Sequence, residues 1–413
     1  MKRIITLSLI MATALGMSAQ KKIFIPEDMR GMDLNADTSK WCYKRSVQTP
    51  DLIFFWEKGF GDDTKNPPAL EGKPMSFDIN NLQQRVQSFY NYFRDTLKFT
   101  RPGSKADRYK MMVMINYSLD GTAYGGTYDN FIGALWVAPN RIQDRRLNCL
   151  AHELGHSFQL QIPADSVGDA WGGSGFYEMT SQWMLWRVNP YWIDDETYHF
   201  DAFKKLTHKA YLALDNIYHS PYVIEWWAEK RGLTAIADLY RNGKIGEDPV
   251  ITYKRLYGLS QEEFNDEMFD CYRHLVDFDF KHARKETRKY ACTFSSKVDT
   301  VKNGAKTAYC RPAEYPEEYG FNAIEIPVTK NKMTISVKGS DLRYGLVEVP
   351  YNGSPKYGRM YSEPAAKIKF KTKDRNSIKK LYLVVMGAPK EHHQLQYGDN
   401  AKEPVNEYRF MVK

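Results

Sequence analysis

The sequence predicts an α+β chain: a mixed region that turns helical, followed by an all-β terminal domain. Three observations predict it. Strand-like apolar runs and helix-period runs alternate as far as about residue 162. From 176 to about 285 the pattern is helical throughout. After Thr293 it changes to short alternating segments separated by Gly, Asn and Pro turns. The 413 residues, 43% of them hydrophobic, are enough for two or three domains with a real core.

Taken in order, residues 1–20, "MKRIITLSLIMATALGMSAQ", read as a cleavable secretory signal. Basic Lys2 and Arg3 precede an apolar run and small residues, with cleavage near Ala19. The run is too short to span a bilayer with ease, and no later stretch is apolar enough. We therefore expect a secreted chain, extracellular or periplasmic, with no transmembrane segment. "DLIFFW" (51–56) reads as a buried strand, and 80–97 as a helix with Val86, Phe89, Tyr90 and Phe93 at helical spacing. Residues 109–118 and 131–139 read as strands, the latter stopped by Pro139. A helix over about 144–162 follows, with Asp144 as N-cap. "GDAWGGSG" (168–175) lacks the Gly-Lys-Ser/Thr ending of a phosphate loop and reads as a connector. Helices are expected over 176–188, 201–218, 222–232, 233–243 and 260–280. Six short strands between 322 and 413 complete a β-sandwich of about 120 residues.

The formal charge of +8 falls to +6 once Lys2 and Arg3 leave with the signal. Basic residues look scattered along the sequence, so the charge reads as solubility and not nucleic-acid binding. Five cysteines, none in CxxC spacing, exclude a complete disulfide framework. One bridge between Cys292 and Cys310, or buried free thiols, are the two readings left open.

Chemistry concentrates in "CLAHELGHSFQ", residues 149–159. Residues i and i+4 share a helix face, so His152 and His156 can present two imidazoles to one metal ion. Glu153 lies about 100° round the helix, placed to reach a water beside the metal. Zinc with an open position brings the pKa of water toward about 7, and the carboxylate takes the proton as a carbonyl is attacked. The plain alternative is a core helix with two hydrogen-bonded histidines. Chance yields about one HExxH per hundred chains of this composition. Leu147, Leu150, Leu154 and Phe158 form an apolar stripe that the histidines lie off. Gly155 costs about 1 kcal/mol against alanine inside a helix, which calls for a close neighbour there.

A third ligand is required. The HExxHxxGxxH pattern fails, because Gln159 and Ile162 replace its glycine and last histidine. Asp165 and Asp169 fall in a loop after Pro163. Glu178, on the aromatic helix "GFYEMTSQWMLW", is the better choice, since a buried carboxylate needs a partner.

HELGH on one helix and a glutamate on the next resembles the gluzincin peptidases. "HELGHSFQ" resembles the HExGHxxQ form of their enhancin and mucin-degrading members. The chain is also similar to a family of secreted bacterial proteins of unknown function that carry a "GFYE"-like second helix and a "VVMGAP.EH"-like segment, here 384–392. The resemblance implies a zincin-like metallopeptidase domain over 21–287, its sheet-containing half ending near 170, and a β-sandwich accessory domain over 288–413. It implies Zn2+ held by His152, His156 and Glu178, with Glu153 as general base. It further implies a substrate-pairing edge strand, placed at Gly133, Ala134 and Leu135, where a core strand reads equally well. His199, His219 and Tyr222 are candidate transition-state donors.

The function expected is a secreted, monomeric zinc metallopeptidase acting on proteins, with glycoproteins as one substrate class. Two rivals belong to other classes: a binding protein that kept the zinc fold without turnover, and a glycan-binding protein acting through its terminal sandwich.

Overall fold

The structure, a computed structural model, describes residues 20–282, 284–303, 306–395 and 403–413. The signal expected over 1–20 lies outside them, Gln20 apart. The architecture is α+β.

The first sheet contains β1 (Ser46–Gln48), β2 (Leu52–Trp56), β3 (Met111–Ile115), β4 (Ala123–Tyr128) and β5 (Ile132–Val137), in the order β1-β2-β3-β5-β4. β2, β3 and β5 run parallel, and β1 and β4 flank them antiparallel. Every side chain of β2 ("LIFFW") and β3 ("MMVMI") is buried, as parallel strands covered on both faces require. β4, "AYGGTY", was not legible: two glycines and no apolar alternation hide a strand. Helix α1 (Ile79–Asn91) is capped by the Asp78 carboxylate and buries Leu82, Val86, Phe89 and Tyr90.

Helix α2 (Asn148–Ala164) starts four residues later than its sequence suggested, because Leu147 takes a left-handed conformation at φ 56°. Helix α3 (Gly175–Val188) is capped by Ser174 and ends, as expected, before Pro190. Then come α4 (Trp192–Asp195), α5 (Thr197–Leu206), α6 (Tyr222–Arg231), α7 (Ala235–Asn242), α8 (Pro249–Tyr257), α9 (Gln261–Leu275) and α10 (Arg284–Thr287). The helix expected over 201–218 stops at Leu206. Its next backbone groups are used elsewhere: Thr207 and His208 carbonyls accept from the Phe321 and Glu317 amides. A segment whose peptides pair across the molecule cannot also close helical turns.

The terminal strands are β6 (Val298–Asn303), β7 (Lys306–Pro312), β8 (Phe321–Glu325), β9 (Lys332–Gly339), β10 (Leu342–Pro350), β11 (Lys356–Tyr357), β12 (Ala365–Lys371), β13 (Ile378–Gly387) and β14 (Tyr408–Val412). They form two antiparallel sheets, β11-β10-β13-β8 and β12-β9-β14-β7-β6. Ile335, Val337, Phe370 and Phe410 of one sheet share an apolar core with Tyr344, Leu346, Leu383 and Val385 of the other. The opposite face of β8, β10 and β13 (Phe321, Val347, Val384, Met386) joins the core of the helical region. The four-stranded sheet is therefore covered on both faces.

All five cysteines are unpaired. The Cys292 thiol donates to Asp277 and Cys310 sits beside Thr300, so the bridge held open between Cys292 and Cys310 is absent. Among the described residues no helix is long and apolar enough to cross a membrane.

Candidate metal centre

Helix α2 is buried on nearly every side. On one side it meets the first sheet, where the Ser157 hydroxyl donates to the Ala134 carbonyl at 2.8 Å. Gly125 of β4 lies against its backbone: a Cβ there would overlap the Glu153 carbonyl and stand 2.8 Å from His156 Cβ. On the other side α3 crosses at Gly155, where a Cβ would come within 2.5 Å of Ser181 Oγ. The Ser181 hydroxyl donates to the His152 carbonyl. The glycine that looked costly in the sequence thus lets the helices that carry His152, His156 and Glu178 touch.

At this crossing three atoms converge. His152 Nε2 and His156 Nε2 are 3.0 Å apart, and Glu178 Oε2 is 3.1 Å from each. Neither aspartate of the 163–169 region joins them. Asp165 accepts from Ser104, the Lys105 amide and Gln161, and Asp169 from the Trp171 amide. Glu178, half-buried one helix on, is where the aromatic helix placed it.

The protonation of the two rings follows from their neighbours. Gln159 Nε2 donates to the Tyr177 carbonyl at 2.8 Å and to the Tyr240 hydroxyl at 2.7 Å. A carbonyl can only accept, so the amide nitrogen must face it and the amide oxygen must face His156 Nδ1, 2.8 Å away. That nitrogen therefore carries the hydrogen. Gln182 repeats the device, its Nε2 on the Tyr218 carbonyl at 2.9 Å and its Oε1 on His152 Nδ1 at 2.7 Å. In the neutral rings both Nε2 atoms are left with lone pairs, aimed at each other and at a carboxylate oxygen.

Three acceptors at this separation repel unless a cation lies between them. Burial pushes the His152 pKa down, but Glu178 and Glu153 outweigh it and the net direction is up. Burial raises Glu178, yet the two imidazoles draw it down to about 2. Both directions describe a pocket that favours positive charge at its centre. Nitrogen and oxygen donors about 2.0–2.1 Å from one tetrahedral zinc stand about 3.3 Å apart, close to the spacing here. The donor set, its spacing and the fixed tautomers fit zinc.

Glu153 is 9% exposed, and among the described residues no hydrogen-bond partner holds its carboxylate. It lies in the electrostatic neighbourhood of His152 and Tyr218. The His156 ring stacks on Tyr177 at 4.2 Å, and Tyr218 packs 6.0 Å from the His152 ring.

Several expected residues sit elsewhere. Gly133, Ala134 and Leu135 are in β5, paired with β3 on one side and β4 on the other, and cannot be an edge. The edge is β4, whose two glycines suppressed its strand signal. Tyr222 is 0% exposed and packs among Trp186, Phe203 and Phe278, out of reach of any substrate. His199 and His219 bond to each other through their Nδ1 atoms at 2.7 Å and make no hydrogen bond to the triad. The tyrosines beside the centre are Tyr177 and Tyr218, missed because nothing in their local sequence separates them from the other tyrosines. Gln159 was read only as an absent glycine. Gln182 was missed as well; its place at i+4 on the Glu178 face is the spacing signal that could have found it. His392 and His393, adjacent in the sequence, are anchored: His392 between Asp248 and Tyr319, His393 between Glu318 and Glu403.

Comparison with curated proteins gives no match, and comparison with solved structures gives none. Residues 16–413 match the family described as "Family of unknown function (DUF6055)", so nearly the whole chain is covered and the protein belongs to that family.

Proposed function

We propose that the chain is a secreted zinc-dependent peptidase of gluzincin type, acting on proteins and, by its resemblance to mucin-degrading members, on glycoproteins. The observation that carries this reading is the meeting of His152 Nε2, His156 Nε2 and Glu178 Oε2 within 3.1 Å, beside a carboxylate, Glu153, that no group among the described residues holds. On the same reading, the first sheet with α2 and the helices after it form a zincin-like domain. The two sheets after it form a β-sandwich.

A zinc ion bound by the triad supplies a Lewis acid that acidifies water and polarises a carbonyl. The remaining work belongs to the chain. Glu153 takes the proton of the attacking water and returns it to the leaving nitrogen. The outer edge of β4 offers unpaired backbone groups to an extended substrate, held against α2 by the close approach at Gly125. Tyr218, whose ring packs 6.0 Å from the His152 ring, is the hydroxyl assigned to donate to the developing oxyanion. Gln182 ties the Tyr218 carbonyl to His152 and so couples that donor to the ligand set.

The test is zinc stoichiometry and cleavage of a casein and a mucin, for the wild type and Glu153→Gln. The variant should keep zinc and lose cleavage by about 10²–10⁴-fold. A wild type that holds no zinc after loading ends the proposal, and one that holds zinc and cuts neither substrate favours a binding protein instead.

A further inference from the structure

The basic residues that look scattered along the sequence are gathered by strand register. In β12, Lys367, Lys369 and Lys371 alternate with buried Ile368 and Phe370, so all three point away from the core. Register places Lys367 opposite Ser336, Lys369 opposite Thr334, and Lys371 opposite Lys332 of β9. Lys338 lies between Ala365 of β12 and Arg409, which pairs with it from β14. Directly opposed residues share a face. Six exposed cations therefore stand on the outer face of the five-stranded sheet. Among the described residues none of the six has a carboxylate within ion-pair distance, whereas neighbouring Arg311 is paired with Asp299. Along β12 the charges repeat about every 6–7 Å.

The face is not flat. Between the cations runs a groove of about 510 Å³, with Ser336, Ala365 and Met411 in its lining. The Tyr309 ring lies at its side under Arg409, whose guanidinium is 5.2 Å from the ring centroid. The other face of this sheet is spent on the inter-sheet core, so the cations serve no packing purpose. Six unneutralised charges on one sheet repel one another and cost stability unless a polyanion meets them.

We infer that this face binds an anionic polysaccharide, its sulfate or carboxylate groups on the lysine rows and a sugar ring against Tyr309. Several features select that partner. The regular charge spacing suits a polymer with repeating charges. The groove lies among Lys338, Lys367 and Arg409, where one polymer chain can meet all three and the Tyr309 ring. Single-stranded nucleic acid would need a run of stacking rings, and of the two aromatic residues lining this groove, Tyr309 and Phe410, Phe410 is buried in the inter-sheet core. The inference goes beyond the peptidase reading and holds whether or not the metal centre turns over.

The test uses the full chain on immobilised heparin and chondroitin sulfate, with dextran as the neutral polymer. Phosphatidylglycerol vesicles and single-stranded DNA serve as rival polyanions. The wild type should bind both charged polysaccharides, ignore dextran, and bind less tightly as salt rises. Lys338→Gln/Lys367→Gln/Lys369→Gln should weaken polysaccharide binding by about tenfold or more. The same three positions changed to Arg should retain it, as should Lys58→Gln/Lys65→Gln/Lys73→Gln, a set on another surface. All substituted side chains are exposed, and unchanged circular dichroism establishes folding. Equal binding by the wild type and the first triple variant overturns the inference. So does tighter binding to the vesicles or to DNA than to either polysaccharide.

Discussion

Replacing Gln159 by leucine, a side chain of similar size, tests whether the amide holds the metal-binding tautomer of His156. Three hydrogen bonds disappear, to His156 Nδ1, the Tyr177 carbonyl and the Tyr240 hydroxyl. At least the ring N–H and the carbonyl are then buried without a partner, at about 1–3 kcal/mol each, so stability should fall by about 2–6 kcal/mol. The freed ring can place its hydrogen on Nε2, where it blocks the ligand lone pair. Loss of such a supporting contact costs about 10–100-fold in metal affinity, or about 1.4–2.7 kcal/mol. Zinc affinity is read by competition with a chromophoric chelator near neutral pH, and stability by urea unfolding with and without zinc. Gln159→Glu separates the two effects. It keeps an acceptor for Nδ1–H and turns a donor against the Tyr177 carbonyl into an acceptor. It should lose stability and keep its zinc. A folded Gln159→Leu variant that binds zinc as tightly as the wild type would refute the tautomer argument.

Other outcomes follow from the same geometry. Gly125→Ala should cost more than about 3 kcal/mol in urea unfolding, since its Cβ meets helix backbone that cannot step aside. Gly126→Ala should cost far less, because its nearest neighbour at 2.9 Å is the movable ring of exposed Tyr124. Equal losses at the two glycines would contradict the close approach of β4 to α2. Tyr218→Phe should leave zinc affinity intact and lower kcat by about 10²-fold or more. Tyr222→Phe removes a buried hydroxyl with no hydrogen-bond partner among the described residues and should change neither. His393 faces Glu318 and Glu403 through both ring nitrogens, so both must donate. Burial opposes the charge, but the two carboxylates outweigh it and raise the pKa. A histidine raised in the folded state stabilises fully below its unfolded value, near 6.5, and that contribution is lost as pH rises through the folded value. The stability gap between wild type and His393→Gln, measured by urea midpoints, should therefore shrink with rising pH; a gap that widens would show the sign to be wrong.

What could be read from residue order was whatever depends on local period and spacing. The i, i+4 histidines, the misfit at Gly155, the need for a partnered carboxylate at Glu178 and the alternation of most terminal strands are of that kind. Each is a statement about one helix face or one strand face, where neighbours in space are neighbours in sequence. The folded chain had to settle whatever depends on which elements meet. Strand order alone makes β4 the edge and buries Gly133, Ala134 and Leu135 in β5. Residues 207–211 leave the helical pattern because their peptides pair with 317–321, more than a hundred positions away. Gln159 and Gln182 acquire a role only when the Tyr177 and Tyr218 carbonyls orient their amides. The six cations become one surface only through the pairing of β9, β12 and β14. Long-range pairing reads backbone geometry and register, and neither is written in the period of any single segment.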